Sequence, residues 1–311
     1  MHGKSSYKWK VKTNPMYDIV VIGNPAYYEG KSIRLASGAL YAAVVAAKLG
    51  VGNVALVGTV GSELRREATE VLDKHEIEFF LTNSAETSRF QVALDLEGSK
   101  FANLVGTKSE IGIRDIPDEF LHAKMILLSP VFREIHVEFI EWLHESSDSV
   151  ILLDPRFRRV NEDNRVRLMG NHRVAEEILD LIDVVKPNRL ESKILTGEDD
   201  PFLAVEMLVE SGSELGIVTL SDEGSIVFDG MDFYRIPAYK INTANGTGAG
   251  DSYLSAFAAK MLEERSIAEC GAFASAVASI VVESSRGTDF RLDSKVVQQR
   301  TMQLLEEITI R

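Results

Sequence analysis

The chain has 311 residues, is 45% hydrophobic, and carries 34 Lys and Arg against 47 Asp and Glu, for a formal charge of −13. That is enough apolar chain for one large α/β domain or two small ones, and the negative balance argues against nucleic acid or an anionic membrane surface as a partner. The lone cysteine, Cys270, excludes an intrachain disulfide and fits a reducing cytoplasm, and no apolar run reads as a membrane helix or a signal peptide.

Residues 1–15 are polar and basic without period and read as a disordered extension, leaving 16–311 as the folded unit. From there, short apolar runs alternate with helical patterns. Strands are expected at Tyr17–Ile22, Val54–Val57, Met125–Leu128, Val150–Leu153, Val184–Val185 and Ile217–Leu220, with β character resuming at Ser225–Phe228. Helical spacing predicts Leu40–Leu49, Leu64–His75, Val174–Leu181, Phe202–Glu210, Asp251–Glu264 and Ile267–Glu283. Unalternated strands between helices indicate a doubly wound, mostly parallel sheet covered on both faces. Arg89–Leu96 and Lys100–Val105 flank Glu97-Gly98-Ser99 and predict a hairpin, with a shorter β patch at Tyr27–Leu35. The parallel sheet has no need of these strands, so a separate small sheet is expected, either a lid over a cleft or an edge decoration.

The most informative stretch is Asn245-Gly246-Thr247-Gly248-Ala249-Gly250-Asp251. Glycines let a backbone approach a ligand closely and adopt positive φ. The helix that follows offers unpaired N–H groups and the positive end of a dipole, which suits phosphate. An Asp there is placed to take a proton from a group attacking that phosphate. The plainer reading is a glycine turn with Asp251 as an ordinary cap.

Other candidates stand where strands end, the position at which open α/β sheets bind ligands. Asn188 and Glu191 follow Val184–Val185 and are one helical turn apart. They suit a hydrated Mg²⁺, with Glu191 reaching it through water, or a plain capping box. Thr219-Leu220-Ser221-Asp222-Glu223-Gly224 lines a nucleotide or makes a simple turn. Asp154-Pro155-Arg156 puts a charged pair at a third strand end. The histidines show no metal-ligand spacing, and there is no P-loop or nucleophile elbow.

These residues together resemble the ribokinase-like (PfkB) carbohydrate kinases over essentially all of 17–311. The Asn245–Asp251 string is similar to the family's Asp-Thr-x-Gly-Ala-Gly-Asp signature. The resemblance implies Asp251 as catalytic base, the backbone of Gly248, Ala249 and Gly250 as anion hole, and Asn245, Gly246 and Thr247 beside the nucleotide. Asn188 and Glu191 match Asn-x-x-Glu, and Thr219, Ser221 and Gly224 match the nucleotide loop Thr-x-Gly-x-x-Gly. ATP and Mg²⁺ are implied as cofactors. The resemblance also leaves room for a monovalent cation and for a homodimer through the lid.

The acceptor end departs from the family pattern. Ala36-Ser37-Gly38-Ala39-Leu40-Tyr41 stands for Gly-Gly-x-x-x-Asn, and Tyr28 and Glu29 occupy the neighbourhood of a missing Asp. Tyr28, Ser37, Gly38 and Tyr41, with Arg89 and Asp154 as replacement polar contacts, are therefore the expected acceptor residues, and ribose is placed in doubt. The expectation is a cytoplasmic ATP-dependent kinase acting on a hydroxyl of a sugar or polyol. The alternatives are a nucleoside kinase of the same fold, or a catalytically weak binding protein.

Overall fold

The computed structural model describes residues 15–29, 33–35, 37–94, 100–104, 109–131, 135–156, 158–160, 165–168, 177–242, 246–284 and 287–311. In chain order the first half runs β1 (Tyr17–Ile22), β2 (Tyr27–Glu29), β3 (Ile33–Leu35), α1 (Gly38–Lys48), β4 (Val54–Gly61), α2 (Ser62–Lys74), β5 (Glu78–Ser84), β6 (Arg89–Leu94), β7 (Lys100–Leu104), β8 (Ala123–Leu128), α3 (Val137–Ser146) and β9 (Val150–Leu153). The second half runs β10 (Arg158–Val160), β11 (Arg165–Leu168), β12 (Val184–Val185), α4 (Arg189–Thr196), α5 (Pro201–Glu210), β13 (Leu215–Thr219), β14 (Ser225–Phe228), β15 (Phe233–Ile236), α6 (Ala249–Leu262), α7 (Ile267–Ser284), α8 (Ser294–Glu307) and β16 (Thr309–Ile310).

The main sheet has ten strands in the order β16-β15-β14-β13-β12-β9-β8-β1-β4-β5. From β13 to β5 every neighbouring pair is parallel, while β14, β15 and β16 are antiparallel. Successive residues of β1 feed opposite layers. Ile19 and Val21 join α1, α2, α6 and α7 in one core. Val20 and Ile22 join α3, α4 and α5 in the other. This explains why inner strands such as β1, β8, β9 and β12 read as unbroken apolar runs: neither face is open to water.

The second sheet has six strands in the order β10-β11-β7-β6-β2-β3. β6 and β7 pair antiparallel from Phe90↔Leu104 to Leu94↔Lys100, as the sequence predicts, and their turn at 95–99 lies outside the described residues. β10 and β11 extend this sheet through β7 and were not expected there. The helix expected at 174–181 is helical at 177–179, and 174–176 lie outside the described residues. Helices α3 and α8 and strand β5 were not among the predicted elements. β13 begins at Leu215 and ends at Thr219, so Leu220 opens a turn rather than closing the strand.

One expectation is corrected. The 18 residues of α7 reach a mean hydropathy of 1.5, enough by length and composition to cross a membrane. Their small buried residues, among them Gly271, Ala272, Ala274 and Ala276, instead let α7 pack between α6 and α8.

Candidate active site

The site forms where the first turn of α6 meets the C-terminal ends of β8, β9 and β12. Gly248 caps α6 with φ +82°, a left-handed conformation that glycine adopts without steric cost. The tight entry is closed by Ala249 N–H donating to Gly246 O at 3.2 Å and Ser252 N–H donating to Gly248 O at 2.9 Å. One of the three residues expected to form the anion hole thus has its N–H engaged by the turn. A Cβ on Gly248 would stand 2.7 Å from carbons of the Tyr41 ring, so Tyr41 backs the glycine turn.

Asp251 is 3% exposed. Ser129, the residue after β8, donates its hydroxyl to Asp251 Oδ1 at 3.1 Å. Arg156, two residues beyond Asp154, donates from Nη2 to both Asp251 oxygens at 2.5 Å. Asp154 lies between two cations, with Lys186 Nζ at 3.2 Å and Arg156 Nη2 at 3.7 Å. Lys186 is itself buried and would lie 3.2 Å from a Cβ on Gly250. Gly38 closes the far side: a Cβ there would come within 2.5 Å of Ser129 Oγ and collide with the Asp251 carboxylate.

The charges explain the protonation. Burial alone would raise the Asp251 pKa. The Arg156 and Lys186 charges, with hydrogen bonds from Arg156 and Ser129, outweigh burial and hold the carboxyl below its ordinary value. Burial likewise opposes the Arg156 charge, and the carboxylates of Asp251, Asp154 and Glu191 more than restore it. Asp251 is therefore an anion at neutral pH, the form a base requires.

Asn188 and Glu191 form the reciprocal capping box of α4. Asn188 Oδ1 accepts from Glu191 N–H and Glu191 Oε2 accepts from Asn188 N–H, both at 2.9 Å. Glu191 is buried, yet its charge reaches Arg156. Asn188 also bridges Thr219 of the neighbouring strand end, which places the nucleotide-loop candidate beside the capping box. Ser221 takes φ +55° where the family pattern has glycine, and Gly224 takes φ +96°. A Cβ on Gly224 would collide with the backbone at 236–238.

The structure brings Asp251, Asp154, Gly38, Tyr41, Gly248 and Gly250 together, with Asn188, Glu191 and Thr219 alongside. Ser37 is committed as the cap of α1, its hydroxyl accepting from Leu40 N–H at 3.3 Å. Arg89 and Tyr28 stand on the second sheet, with the Arg89 guanidinium 5.4 Å from the Tyr27 ring centre and Tyr28 at 5.4 Å from Phe90. Asn245 lies outside the described residues. Sequence reasoning named Arg156 only as half of a charged pair with Asp154 and did not nominate Ser129 or Lys186. Their signal was the one used for Asp154: a polar residue directly after an apolar strand.

Comparisons with known proteins give the family and the fold. The pfkB family carbohydrate kinase model matches residues 39–294. The cytidine kinase of Thermococcus kodakarensis is 26% identical over 82% of this chain and 92% of its own length. Among solved structures, the sulfate complex of a pyrophosphate-dependent kinase in the ribokinase family superposes with TM-score 0.78 at 21% identity, over 90% of this chain and 99% of that one. The Arabidopsis thaliana ribokinase complexed with ribose and ATP gives TM-score 0.71 at 23% identity, over 93% and 99%. With the family model covering most of the sequence, this chain belongs to the pfkB family of carbohydrate kinases.

Proposed function

We propose that the chain transfers the γ-phosphoryl group of ATP to a hydroxyl of a small sugar, polyol or nucleoside, with Asp251 as the general base. The observation that carries this reading is the buried, ionised Asp251 in the first turn of α6, directly after the left-handed Gly248. As the acceptor oxygen attacks the γ-phosphorus, the bond to the β,γ-bridging oxygen breaks and ADP leaves, while the acceptor's proton passes to an Asp251 oxygen. Catalysis of this kind is mostly positioning and electrostatics. Helix-start N–H groups of Gly248 and Gly250 and the Lys186 ammonium beside Gly250 receive the growing charge on the phosphoryl oxygens. Asn188, Thr219 and the Ser221–Gly224 turn border the nucleotide, continuing the same line of strand ends.

Among the described residues no group of three or more His, Cys, Asp or Glu side chains converges as a metal cage. That fits Mg²⁺, which keeps several waters and takes few protein ligands. Glu191 is the carboxylate that would reach it through water, and the ion's chemistry would be to neutralise phosphate charge. The six-stranded sheet is read as the lid over the acceptor, within one kinase unit spanning 16–311. A cytoplasmic setting is consistent with the single, buried Cys270.

The test is turnover with a panel of sugars, polyols and nucleosides, with ATP and with pyrophosphate as donor, in the native chain and in Asp251→Asn. Acceptor-dependent loss of ATP in the native chain, lowered at least about 10²-fold by the substitution, is the expected result. No turnover with any acceptor and either donor would sink the reading.

A further inference from the structure

Arg156 and the acceptor hydroxyl need the same atoms. A general base must present an oxygen to the proton it takes at hydrogen-bond distance. Both Asp251 oxygens are held by Arg156 Nη2 at 2.5 Å. The guanidinium must therefore leave at least one of them before transfer. Its side chain is only 17% exposed, and arginine does not discharge by losing its proton. A largely buried cation deprived of its partner is strongly disfavoured. The nearest alternative carboxylate is Asp154, which already holds Lys186 at 3.2 Å. A neutral acceptor would take the Asp251 oxygen and give Arg156 nothing in exchange. An acceptor that carries an anion supplies both halves: a hydroxyl for Asp251, and anionic oxygens for the guanidinium edge that Arg156 frees as it leaves an Asp251 oxygen.

We propose that Arg156 is a specificity-determining residue that exchanges Asp251 for an anionic group, phosphate or carboxylate, on the acceptor. The preferred substrate is then a small polyhydroxy compound that already bears negative charge. This rests on Asp251 being the base. The other possible anion is the transferring phosphoryl group. Lys186 is the cation beside Gly250 at the phosphate-binding turn, so that group has its own counter-charge, and Arg156 is left for the acceptor.

The experiment uses matched acceptor pairs, ribose with ribose 5-phosphate and glucitol with gluconate, in the native chain, Arg156→Gln and Arg156→Lys. Two readouts are taken: kcat/KM with ATP, and calorimetric binding with Mg²⁺ and a non-hydrolysable ATP analogue. At least one anionic member is expected to exceed its neutral parent by roughly tenfold or more in both readouts. Arg156→Gln should lower the anionic member at least about tenfold further than the neutral one, and Arg156→Lys, which keeps the charge but not the fork, should fall between. An equal loss on both members assigns Arg156 to the transferred phosphoryl group and overturns the proposal. So does a native preference for the neutral members, or failure of both anionic members to bind. Binding needs no turnover, so a charge preference in calorimetry that persists while Asp251→Asn remains fully active would sink the general-base reading and leave the anion site standing.

Discussion

The Tyr41 ring lies against the face of Gly248 from which a side chain would project, 2.7 Å from the place of its Cβ. Gly246, two residues earlier, faces open space, with nothing within 4 Å of a Cβ. The two glycines of one turn should therefore respond differently to alanine. Gly248→Ala meets both a left-handed φ and an aromatic ring. It should cost roughly 1–3 kcal/mol of stability and lower kcat/KM by displacing the start of α6. Gly246→Ala should do neither to a comparable degree. Thermal melts and steady-state kinetics on both variants decide this, and equal effects would remove Tyr41 from the explanation.

Asp251→Asn should lower kcat by roughly 10²–10⁴-fold, and it should also destabilise the fold. Asn cannot balance Arg156 and Lys186. A carboxyl held below its ordinary pKa stabilises the folded state fully above the unfolded value, and that contribution is lost as pH falls through the folded one. The gap in melting temperature between the native chain and the variant should thus be widest at neutral pH and narrow on acidification. A gap independent of pH would mean that the ion pairs with Arg156 contribute nothing net.

Glu191→Gln isolates charge from capping. A Gln carbonyl can still accept from Asn188 N–H, so α4 should hold and the melting temperature should change little. The Mg²⁺ concentration for half-maximal rate should rise severalfold if Glu191 meets the ion through water. An unchanged Mg²⁺ dependence would reduce Glu191 to its cap.

Asp183 gives a pH prediction of opposite sign. Burial and the Glu214 charge raise its pKa, although Ile151 N–H donates to its Oδ2 at 2.6 Å. Its ionised form is disfavoured in the fold, so that cost is present above the folded pKa and vanishes below the ordinary Asp value near ~4. Asp183→Asn should melt a few degrees higher than the native chain at pH 7, with the difference closing as the pH approaches that value. A variant that melts lower at pH 7 would show that the hydrogen bond to the charged oxygen outweighs its desolvation.

The parallel core was legible because burial on both faces writes itself as short, unbroken apolar runs such as Val150–Leu153. Asp251 and its glycines were legible because left-handed φ and close approach restrict residue choice locally. The pairing of Arg156 with Asp251 and of Lys186 with Asp154 was not, since it arises from strand order, which brings β9 next to β12 although some thirty residues separate them in sequence. Strands β10 and β11 are short, and their register on β7 is a long-range pairing that no local pattern announces. Ser37 and Tyr41 were expected at the acceptor; the structure shows them as a cap and a backing surface, tasks visible only once α1 is seen against α6.

The two sheets are separate hydrogen-bonded scaffolds. Asp154, Lys186 and Thr219 are spaced by the ladder of the main sheet, where Leu153 stands opposite Val185 and Val185 opposite Gly216. A slip of one residue there would turn every side chain to the wrong face. The six-stranded sheet is hydrogen-bonded as its own unit, and β2 enters it only four residues, 23–26, after β1 ends. Its strands can therefore be recut or exchanged with those of a relative without changing the pitch at which the charged strand ends are set. With the six-stranded sheet as the proposed lid, such a lineage can change what it phosphorylates while inheriting how it phosphorylates, and chimaeras that exchange β2–β3 and β6–β7 while keeping α1, β4, α2 and β5 are a natural way to build new acceptor preferences on this frame.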